Sequence, residues 1–571
     1  MANIFFLVLR RMRVPLILLI IVYSVATIGM TLIPGVTPEG ETWRMSYFHA
    51  FYFVSYMGTT IGFGEIPYEF TDMQRSWVLM CIYTSVIAWL YGIGSVLRLV
   101  QDETFLRAVS RRVFQRNIKR LDSDFYIICG YGETGEMINR GLCNLGIQTV
   151  VIDQDAERIS SLELGDFLIP PISLIADITN PSNLVDAGIN NPHCCGVIAL
   201  TNQDHTNLQA AVASKLANES VRVICRSEIE DEAKNMASFG TNLIINPYLI
   251  FAQRLKLLTS SQQLHQLQGW FINQYSDKQT HSLADQDETS APKTGKWIIC
   301  GYGRLGKAIH KAIEELVDDV TIIASDPIAS RAPDGAIVGR GTEADTLLEA
   351  GIDSADVIVA ATNDDANNLS IIMTAKQIKS DIFTVGRVSK ETNQILFDRA
   401  NCHYVMRRSL VVANEVLTSI TRPLVTKFIK FSNSLTEDET AELANRIQSL
   451  SSHCEPVTWR MELNTDSSPE LVNFINSGTN ITIGKLCENP KIPNSRCIPL
   501  LLLRNGVSQV LPSADQLLME GDDLLVCGPR GKVLLPQRLQ HNTELLDSLI
   551  NNNTKHIPLL RWLARRKAKT D

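Results

Sequence analysis

Charge is scarce in this chain of 571 residues, and neither sign dominates. Charged residues make up 20% of the sequence against 45% hydrophobic residues, and 53 Lys and Arg face 61 Asp and Glu for a formal net charge of −8. This balance gives no general reason to expect a nucleic-acid partner, and the hydrophobic content excludes wholesale disorder. The sequence has no Cys-x-x-Cys or His-x-x-x-His pair that would complete a zinc site beside His193, Cys194 and Cys195. The length allows three or four compact units.

Long uncharged runs are also few, and two of them lie near the N-terminus. Val14–Pro34 and Ser76–Val96 each hold 21 residues without a charge, enough to cross the hydrocarbon core of a bilayer as a helix. The basic residues before the first run would also fit a signal peptide. However, the run is longer than a usual signal-peptide core, and the sequence IPG at 33–35 is a poor small-residue cleavage site. We therefore predict two retained membrane helices.

The charges that flank these runs predict their orientation. Residues 1–120 carry 12 Lys and Arg against 7 Asp and Glu, and most of the basic residues precede the first run or follow the second. By the positive-inside rule, both termini and everything after the second run are cytoplasmic, which predicts a multi-pass protein of the inner (plasma) membrane. The 12 cysteines then lie mostly in a reducing compartment, and no disulfide framework is expected.

The segment between the two runs contains a glycine-rich loop suited to lining an ion path. An aromatic stretch too short to span the membrane leads into the sequence TTIGFGE at 59–65. Two glycines one residue apart let the backbone aim successive carbonyls at one axis. Four such loops around a symmetry axis can replace the water shell of a potassium ion. The predicted selectivity filter consists of Thr60, Ile61, Gly62, Phe63 and Gly64.

This arrangement resembles the two-transmembrane potassium channels, whose filter usually reads TVGYG. The resemblance implies K⁺ as the permeant ion. Phe63 in place of Tyr removes a hydroxyl that often braces the filter, and Glu65 stands where Asp is common. Both changes bear on the rigidity and inactivation of the filter rather than on potassium selection. The alternative interpretation is a glycine turn between two helices that merely anchor an enzyme.

Two late glycines in the second run suggest where the pore is gated. Channels of this kind usually carry a glycine hinge near the middle of the inner helix, whereas Gly92 and Gly94 come close to its cytoplasmic end. Because glycine weakens a helix, we predict a break between 91 and 95, with Leu97 near the intracellular constriction. Close helix packing at small residues is the alternative explanation of the two glycines.

The cytoplasmic part contains an internal repeat. FYIICGYGETG from residue 125 matches KWIICGYGRLG from residue 296, and further matches follow in the same order over about 120 residues. Each copy reads as alternating buried strands and helices, which predicts two Rossmann-like α/β domains with parallel sheets. Each opens with strand, G-x-G-x-x-G and helix, followed by a strand that ends in Asp. That pattern is typical of a site for NAD or an adenine nucleotide such as ADP, because the Asp disfavours a 2′-phosphate.

The predicted nucleotide-binding residues follow from this pattern in both copies. The copies differ in charge, because Glu133 lies in the first glycine loop and Arg304 in the second, where it could pair with a phosphate. Loop charge therefore favours the second copy, and glycines retained only for packing are the alternative for each. The set comprises Gly130, Gly132, Gly135, Asp153, Asp177, Thr201 and Arg226 in the first copy and Gly301, Gly303, Arg304, Gly306, Asp326, Arg340, Thr362 and Arg387 in the second.

The repeat resembles the RCK (KTN) domains that regulate potassium channels and transporters. After the second copy, the sequence from 481 to 529 looks like the small C-terminal lobe of that family, and residues 247–271 look like the helices that pair two RCK domains. With a pore on the same chain, the whole is similar to prokaryotic ligand-gated channels of the GsuK type. That resemblance implies a homotetramer whose eight RCK domains form a gating ring in the cytoplasm.

A cluster of carboxylates in the first copy raises the question of a divalent cation. Some RCK domains bind calcium just after the fifth strand, where this chain has Arg226 and Arg387, which weighs against copying that site. Ca²⁺ nevertheless stays a candidate modulator, and a solvated helix face is the alternative explanation of the cluster. The four residues are Glu228, Glu230, Asp231 and Glu232.

The sequence therefore predicts a non-enzymatic, potassium-selective channel gated by a cytoplasmic ligand. The alternatives are a membrane-tethered NAD-dependent oxidoreductase and a regulatory subunit of a potassium transporter. The direction of gating and the choice between NAD and ADP stay open. The predicted domains are the pore (1–100), a linker to the ring (101–120), RCK1 with its crossover helices (121–275), a polar linker (276–296), the N-lobe and crossover of RCK2 (297–454), its C-terminal lobe (455–535) and a tail (536–571).

Overall fold

The structure of this protein is a computed structural model that describes residues 2–273, 291–450, 456–487 and 497–529. The chain divides into two units. The first comprises residues 1–123 with two short segments at 172–174 and 186–191, and the second comprises the rest of the chain from residue 124 onward. The predicted tail lies outside the described residues, as do residues 276–290 of the predicted polar linker.

The first unit is a helical domain with two helices that could span a membrane. Within the described residues, Met12–Leu32 and Asp72–Val100 are long and apolar enough to do so. Between them, a short helix begins after Ser46, whose side chain accepts a hydrogen bond from the backbone N–H of His49. The helices are α1 Ala2–Leu32, α2 Tyr47–Gly58, α3 Asp72–Val100 and α4 Glu103–Ile118, and a two-stranded ribbon pairs β1 Gly35–Val36 with β2 Thr42–Trp43.

The predicted break in the inner helix is wrong, because α3 runs without interruption from Asp72 to Val100. Gly92 is buried, and a Cβ built on it would lie 3.6 Å from Leu19 of α1, an ordinary packing distance. A Cβ on Gly94 would meet nothing within 4 Å. Glycine costs only about 1 kcal/mol relative to alanine inside a helix, so a capped helix that packs on α1 tolerates both. The role of Gly92, Gly94 and Leu97 in gating stays a prediction.

The first repeat is a Rossmann-like domain with six strands in the order β5-β4-β3-β6-β7-β8. Strand β3 pairs in parallel with β4 and β6, and all five of its residues are buried. The strands are β3 Phe125–Cys129, β4 Gln148–Asp153, β5 Ile172–Ile175, β6 Cys194–Ala199, β7 Arg222–Arg226 and β8 Leu243–Ile245; the helices are α5 Glu133–Asn144, α6 Ala156–Glu163, α7 Pro181–Asp186, α8 Asp204–Ala217, α9 Glu230–Ser238, α10 Pro247–Ser260 and α11 Gln262–Asn273.

The second repeat has the same topology, with the order β11-β10-β9-β12-β13-β14 and parallel pairing throughout. The carboxyl ends of β9 and β12 therefore meet at one edge of the sheet, beside the glycine-rich loop. The strands are β9 Lys296–Cys300, β10 Asp319–Ala324, β11 Ile337–Val338, β12 Val357–Ala360, β13 Phe383–Val388 and β14 Tyr404–Arg407; the helices are α12 Arg304–Ile313, α13 Pro327–Ser330, α14 Ala344–Glu349, α15 Asp365–Ile378, α16 Gln394–Arg399, α17 Arg408–Thr421, α18 Pro423–Ser432 and α19 Glu437–Leu450.

The two repeats exchange the helices that follow their sheets. Tyr248 and Phe251 of α10, from the first repeat, lie in one core with Trp297 and Leu305 of the second. Conversely, Val412 of α17 and its neighbours, from the second repeat, lie in the core of the first repeat. Each sheet therefore completes its hydrophobic core with a helix of the other repeat, and the pairing role predicted for residues 247–271 is supported.

A small α+β lobe follows the second repeat, as predicted. Its antiparallel sheet has the order β15-β18-β16-β17. Arg460 of β15 forms hydrogen bonds with both carboxylate oxygens of Asp523 in β18, which ties the two strands together. The strands are β15 Pro456–Glu462, β16 Ile498–Arg504, β17 Val507–Val510 and β18 Asp523–Pro529, with the helices α20 Pro469–Asn476 and α21 Ile483–Cys487.

The region where the repeats meet should be sensitive to acid through His265. Burial, with a smaller contribution from the charge of Arg254, lowers the pKa of His265 to about 4, and its Nε2 lies 3.2 Å from the hydroxyl of Tyr404. The folded-state pKa is below the ordinary value of about 6.5. The neutral ring therefore contributes stability that is present above pH 6.5 and is lost as the pH falls towards 4.

We expect His265→Gln to reduce the fall in melting temperature of the detergent-purified chain between pH 6.5 and 4.5, because glutamine does not titrate there. His205→Gln is the control, since the side chain of His205 is 69% exposed. Identical pH profiles for wild type and His265→Gln would contradict the prediction.

Candidate pore and nucleotide sites

The backbone of the predicted filter alternates in handedness. Thr60, Gly62 and Gly64 have positive φ values of 63°, 68° and 89°. The loop continues directly from the end of α2, where the N–H of Ile61 donates to the carbonyl of Tyr56 at 2.9 Å. Positive φ at every second residue turns successive peptide units the same way, which lets their carbonyls line one axis. The two glycines adopt this conformation at little cost, and the assignment of these residues to a filter stays a prediction.

A tyrosine on α2 supplies a brace for the predicted filter. The hydroxyl of Tyr56 donates to the carbonyl of Gly64 at 2.6 Å, and its ring lies edge-on to Phe63 at 5.3 Å. The hydroxyl that Phe63 lacks is therefore supplied by the neighbouring helix. Within the aromatic stretch of α2, the sequence offers no signal that separates Tyr56 from a side chain that only packs.

The chain that leaves the predicted filter is fixed by an ion pair. Nε of Arg75 lies 2.9 Å from Oε1 of Glu65, and the backbone N–H of Phe70 donates to Oε2 of Glu65 at 2.8 Å. The hydrogen bond from Arg75 lowers the pKa of Glu65, and the bond from Phe70 adds to this effect. Glu65 therefore stays ionised at neutral pH and holds the chain that leaves the filter.

We expect Tyr56→Phe to loosen the filter, because the Gly64 carbonyl loses its donor while the ring and its packing remain. The measurement is the potassium-to-sodium flux ratio in liposomes, and we expect it to fall about tenfold, the equivalent of about 1.4 kcal/mol for one hydrogen bond. Tyr52→Phe on the same helix is the matched control, since Tyr52 contacts Tyr56 only through its ring, at 5.4 Å. An unchanged ratio in Tyr56→Phe would show that the brace does not matter.

The first repeat has a cavity of about 430 Å³ at the carboxyl edge of its sheet. Five of the predicted residues line this cavity: Gly130, Gly132, Asp153, Asp177 and Thr201. Arg158 also lines it and was missed by sequence reasoning.

The carboxylate of Asp153 is already bound by the protein itself. Its Oδ2 accepts from the backbone N–H of Tyr131 in the glycine loop at 2.6 Å, and its Oδ1 accepts from the N–H of Asp155 at 2.8 Å. Arg158 lies 3.6 Å away, and Asp153 is only 5% exposed. A ribose hydroxyl would have to displace these partners, so the predicted acceptor of the first repeat serves chiefly to fix its own loop.

The second repeat has a cavity of about 530 Å³ in the equivalent place. Its lining is net positive, whereas that of the first cavity is net negative. Asp326 is exposed, and its carboxylate accepts a hydrogen bond from the N–H of Ala329 at 2.9 Å. Arg304, Lys307 and Arg340 also line the cavity, so three cations face one carboxylate. Lys307 was missed by sequence reasoning, although it lies one turn after Arg304. The predicted lining residues are Gly301, Gly303, Arg304, Asp326, Arg340 and Thr362.

The third glycine of each motif serves packing rather than the cavity. A Cβ on Gly135 would lie 2.2 Å from the carbonyl oxygen of Gly130, and a Cβ on Gly306 would lie 2.1 Å from that of Gly301. No larger side chain fits at either position. Neither glycine lines the cavity of its repeat, and both let the first helix start against the loop; their contact with nucleotide stays a prediction.

The two arginines predicted to bind nucleotide do not line the cavities either. Arg226 is 2% exposed and donates to Asn202 at 3.2 Å, and Arg387 is 6% exposed and donates to Asn363 at 2.6 Å. The cavities are lined by the asparagines instead. Arg387 lies against the ring of Tyr248 from the other repeat, 5.4 Å from its centre, whereas Arg226 pairs with Glu228 of its own repeat; nucleotide binding by either arginine stays a prediction.

Glu228 lies at the centre of what we term the arginine cluster: Arg226, Arg304 and Arg408 around this one carboxylate. Arg226 and Arg304 form ion pairs with it, and Nη1 of Arg408 lies 3.3 Å away. Burial would raise the pKa of Glu228, but the arginines outweigh burial and hold it below its usual range. The cluster joins the glycine loop of the second repeat to the first repeat.

The four carboxylates predicted as a divalent-cation site do not come together. Glu228 belongs to the arginine cluster, Glu230 pairs with Lys234 at 2.9 Å, and Glu232 lies 3.9 Å from His205. Among the described residues, no group of three His, Cys, Asp or Glu side chains could hold a metal ion. The structure thus contradicts a cation site made of Glu228, Glu230, Asp231 and Glu232. Three of these carboxylates, those of the glutamates, each lie against a different basic residue rather than around one point.

Glu133 also turns away from its cavity. Its carboxylate accepts a hydrogen bond at 3.0 Å from the hydroxyl of Ser409, at the start of the exchanged helix α17. Glu133 does not line the first cavity. The charge of Glu133 in the first glycine loop therefore does not distinguish the two cavities. They differ instead in their acidic residue, since the carboxylate of Asp153 is bound by its own loop.

Comparison with known proteins agrees with this division of the chain. Residues 16–102 match the family model described as an ion channel, and residues 126–247 and 297–408 each match the TrkA-N domain model. The predicted two-helix pore followed by two Rossmann-like repeats is thereby confirmed at the level of domains.

Individual relatives are distant. Potassium channel protein 1 of Methanocaldococcus jannaschii is 26% identical over 211 residues, which are 37% of this chain and 61% of that protein. Probable potassium channel protein 2 of the same organism is 24% identical over 212 residues, which are 37% of this chain and 60% of that protein. The chain thus spans about three fifths of the length of these curated relatives. A solved structure described as the GsuK channel is 17% identical, with a TM-score of 0.47 over 97% of this chain and 100% of that one.

Proposed function

We propose that this protein is a potassium-selective channel gated by a nucleotide that binds its cytoplasmic repeats. The observation that carries the proposal is the alternation of positive φ at Thr60, Gly62 and Gly64, in a loop between two helices long enough to span a membrane. An irregular backbone at membrane depth is tolerated where it lines a water-filled path. Relatives of the chain are described as potassium channels.

The pore requires several copies of the chain, because one filter strand cannot enclose an ion. Four copies around one axis give the symmetric ring of carbonyls that potassium selection needs, and would bring eight Rossmann-like repeats together in the cytoplasm. The charges that flank the two spanning helices favour both termini on the cytoplasmic side, and we place the protein in the inner membrane. We therefore propose a homotetramer in a lipid bilayer.

The gating ligand in this proposal is NAD or an adenine nucleotide such as ADP, bound in the second repeat. Asp326 is exposed just after β10, two residues beyond its end, where a ribose hydroxyl would lie in a fold of this type. Arg304, Lys307 and Arg340 provide the positive charge that a pyrophosphate requires. The first repeat is the less suitable site, since the carboxylate of Asp153 is bound to its own loop.

A tethered NAD-dependent oxidoreductase is the less suitable function. Hydride transfer to a bound substrate usually needs a proton donor close to the nicotinamide. His205 and His310, the histidines nearest to such a role in the sequence, line neither cavity. The ring of His310 instead shares a hydrogen bond with the hydroxyl of Tyr302 at 2.9 Å. We therefore propose that the chain is not an enzyme.

The proposal is tested by ion flux through the purified full-length chain in liposomes loaded with potassium or with sodium. Selective potassium flux, together with a detergent-solubilised mass of four chains, is the expected result. Equal flux of the two ions would contradict a potassium filter. No flux under any nucleotide, from a chain that still binds NAD, would favour the tethered enzyme.

A further inference from the structure

We propose that Glu228 of the first repeat competes with the phosphates of the nucleotide for Arg304, so that nucleotide binding in the second repeat releases a contact between the repeats. The inference rests on the proposed function, because it assumes that a nucleotide occupies the second cavity. It assigns Glu228 and Arg304 the role of coupling nucleotide binding to the contact between the two repeats.

Arg304 is shared between two environments. It is the first residue of α12 and lines the second cavity beside Gly301 and Gly303, where a phosphate approaches the helix N-terminus. It also forms an ion pair with Glu228, and its guanidinium lies 5.5 Å from the ring centre of Tyr248. Both of these partners belong to the first repeat. A guanidinium that turns fully to a phosphate must therefore give up two contacts with the other repeat.

The carboxylate of Glu228 stays compensated without Arg304. Glu228 is 7% exposed and has two further arginines, Arg226 and Arg408, so it stays compensated when Arg304 leaves. Removal of the last partner of a buried charge would be costly, whereas removal of one of three is not. Arg304, by contrast, keeps half of its side chain exposed and has room to move.

The loop that carries Glu228 is fixed from its own side. Oδ2 of Asp204 accepts from the backbone N–H groups of Glu228 and Ile229, at 2.7 and 2.8 Å. When Arg304 leaves, the loop therefore keeps its shape, and the change falls on the contact between the repeats. The two equilibria are coupled in both directions: the ion pair between Arg304 and Glu228 weakens nucleotide binding, and nucleotide binding weakens the ion pair.

Calorimetric titration of the purified full-length chain with ADP tests this competition. Glu228→Gln keeps the shape of the side chain and removes its charge, so ADP affinity in the second cavity should rise about tenfold, the equivalent of about 1.4 kcal/mol. Arg408→Ala removes a competing partner of Glu228 and leaves it to hold Arg304 more firmly. ADP affinity should then fall about threefold, the opposite direction.

Two controls separate competition from general loosening. Adenosine has no phosphate, so its affinity should be the same in Glu228→Gln and in wild type. In an Arg304→Ala background, Glu228→Gln should no longer change ADP affinity, because the residue that is competed for is gone.

The outcomes distinguish this inference from the function on which it rests. A wild-type chain that binds no ADP would contradict nucleotide gating itself. A wild-type chain that binds ADP with the same affinity as Glu228→Gln would overturn the competition and leave nucleotide gating intact. A rise in affinity that persists in the Arg304→Ala background would also overturn it.

Discussion

Gly62→Ala is expected to reduce potassium flux to the level of protein-free liposomes. Gly62 has a φ of 68°, a region that alanine enters only at a cost of about 1–2 kcal/mol, and in a tetramer that strain would occur four times. Within the single chain no heavy atom lies within 4 Å of the position of a Cβ, so the loss is expected from the strain of the backbone itself. Relaxation of φ at this residue would turn a peptide carbonyl away from the ion path.

Gly146→Ala is the matched control for this experiment. Gly146 has a φ of 78° in the turn after α5, and a Cβ there would also meet nothing within 4 Å. The same strain is therefore introduced outside the pore domain. Gly146→Ala should lower stability by a similar amount and leave flux unchanged. Normal potassium flux through Gly62→Ala would mean that this loop does not form the filter.

Asp326→Ala is expected to lower the affinity of the chain for ADP or NAD about tenfold to a hundredfold, in proportion to the loss of a hydrogen bond to a charged acceptor. The carboxylate of Asp326 is exposed along the second cavity, which makes it free to accept from a ribose hydroxyl. The variant should also lose most of the nucleotide-dependent change in flux and keep basal flux, since the pore is not altered. Isothermal titration and liposome flux measure the two effects.

Asp153→Ala is the matched control in the first repeat, because it removes the carboxylate at the same place in the fold. Asp153 holds the N–H of Tyr131 at 2.6 Å, so its loss should lower the melting temperature with little effect on nucleotide affinity. The reverse pattern, in which Asp153→Ala abolishes binding and Asp326→Ala does not, would place the nucleotide in the first repeat.

Much of the fold follows from features that are local in sequence. The two uncharged runs, the glycine spacing of the filter and the ordered matches between the repeats each depend on a few neighbouring residues. A buried strand such as β3, FYIIC, is hydrophobic on both faces, which predicts a parallel sheet covered by helices on each side. The pore, the two Rossmann-like repeats and the C-terminal lobe could therefore be predicted.

The parts that could not be predicted depend on contacts between distant residues. Arg387 is the last residue but one of β13, and nothing near it in sequence reveals that Tyr248 of the other repeat packs against it. Glu228 lies in an acidic stretch that resembles an exposed helix face, yet it is compensated by Arg304 and Arg408, 76 and 180 residues away. Charge partners at such separations follow from the exchange of α10 and α17, which is a property of the folded pair.

The glycine hinge fails for a different reason. Helix propensity counts each glycine against the helix, but the penalty of about 1 kcal/mol per residue is small beside the hydrogen bonds and packing of a helix of 29 residues. Gly92 lies against Leu19, which agrees with the alternative explanation of close helix packing at small residues. Gly94 faces open space in the single chain, so its presence has no explanation within the described contacts.

The central claim is that one chain joins a potassium pore to a nucleotide site, and the response of flux to nucleotide tests it most directly. The measurement is potassium flux from liposomes that contain the purified full-length protein, with and without ADP or NAD on the cytoplasmic side. The account predicts potassium-selective flux that changes with nucleotide in wild type and no longer changes in Asp326→Ala. Selective flux that is the same at every nucleotide concentration would contradict it, and the glycine loops of both repeats would then serve packing alone.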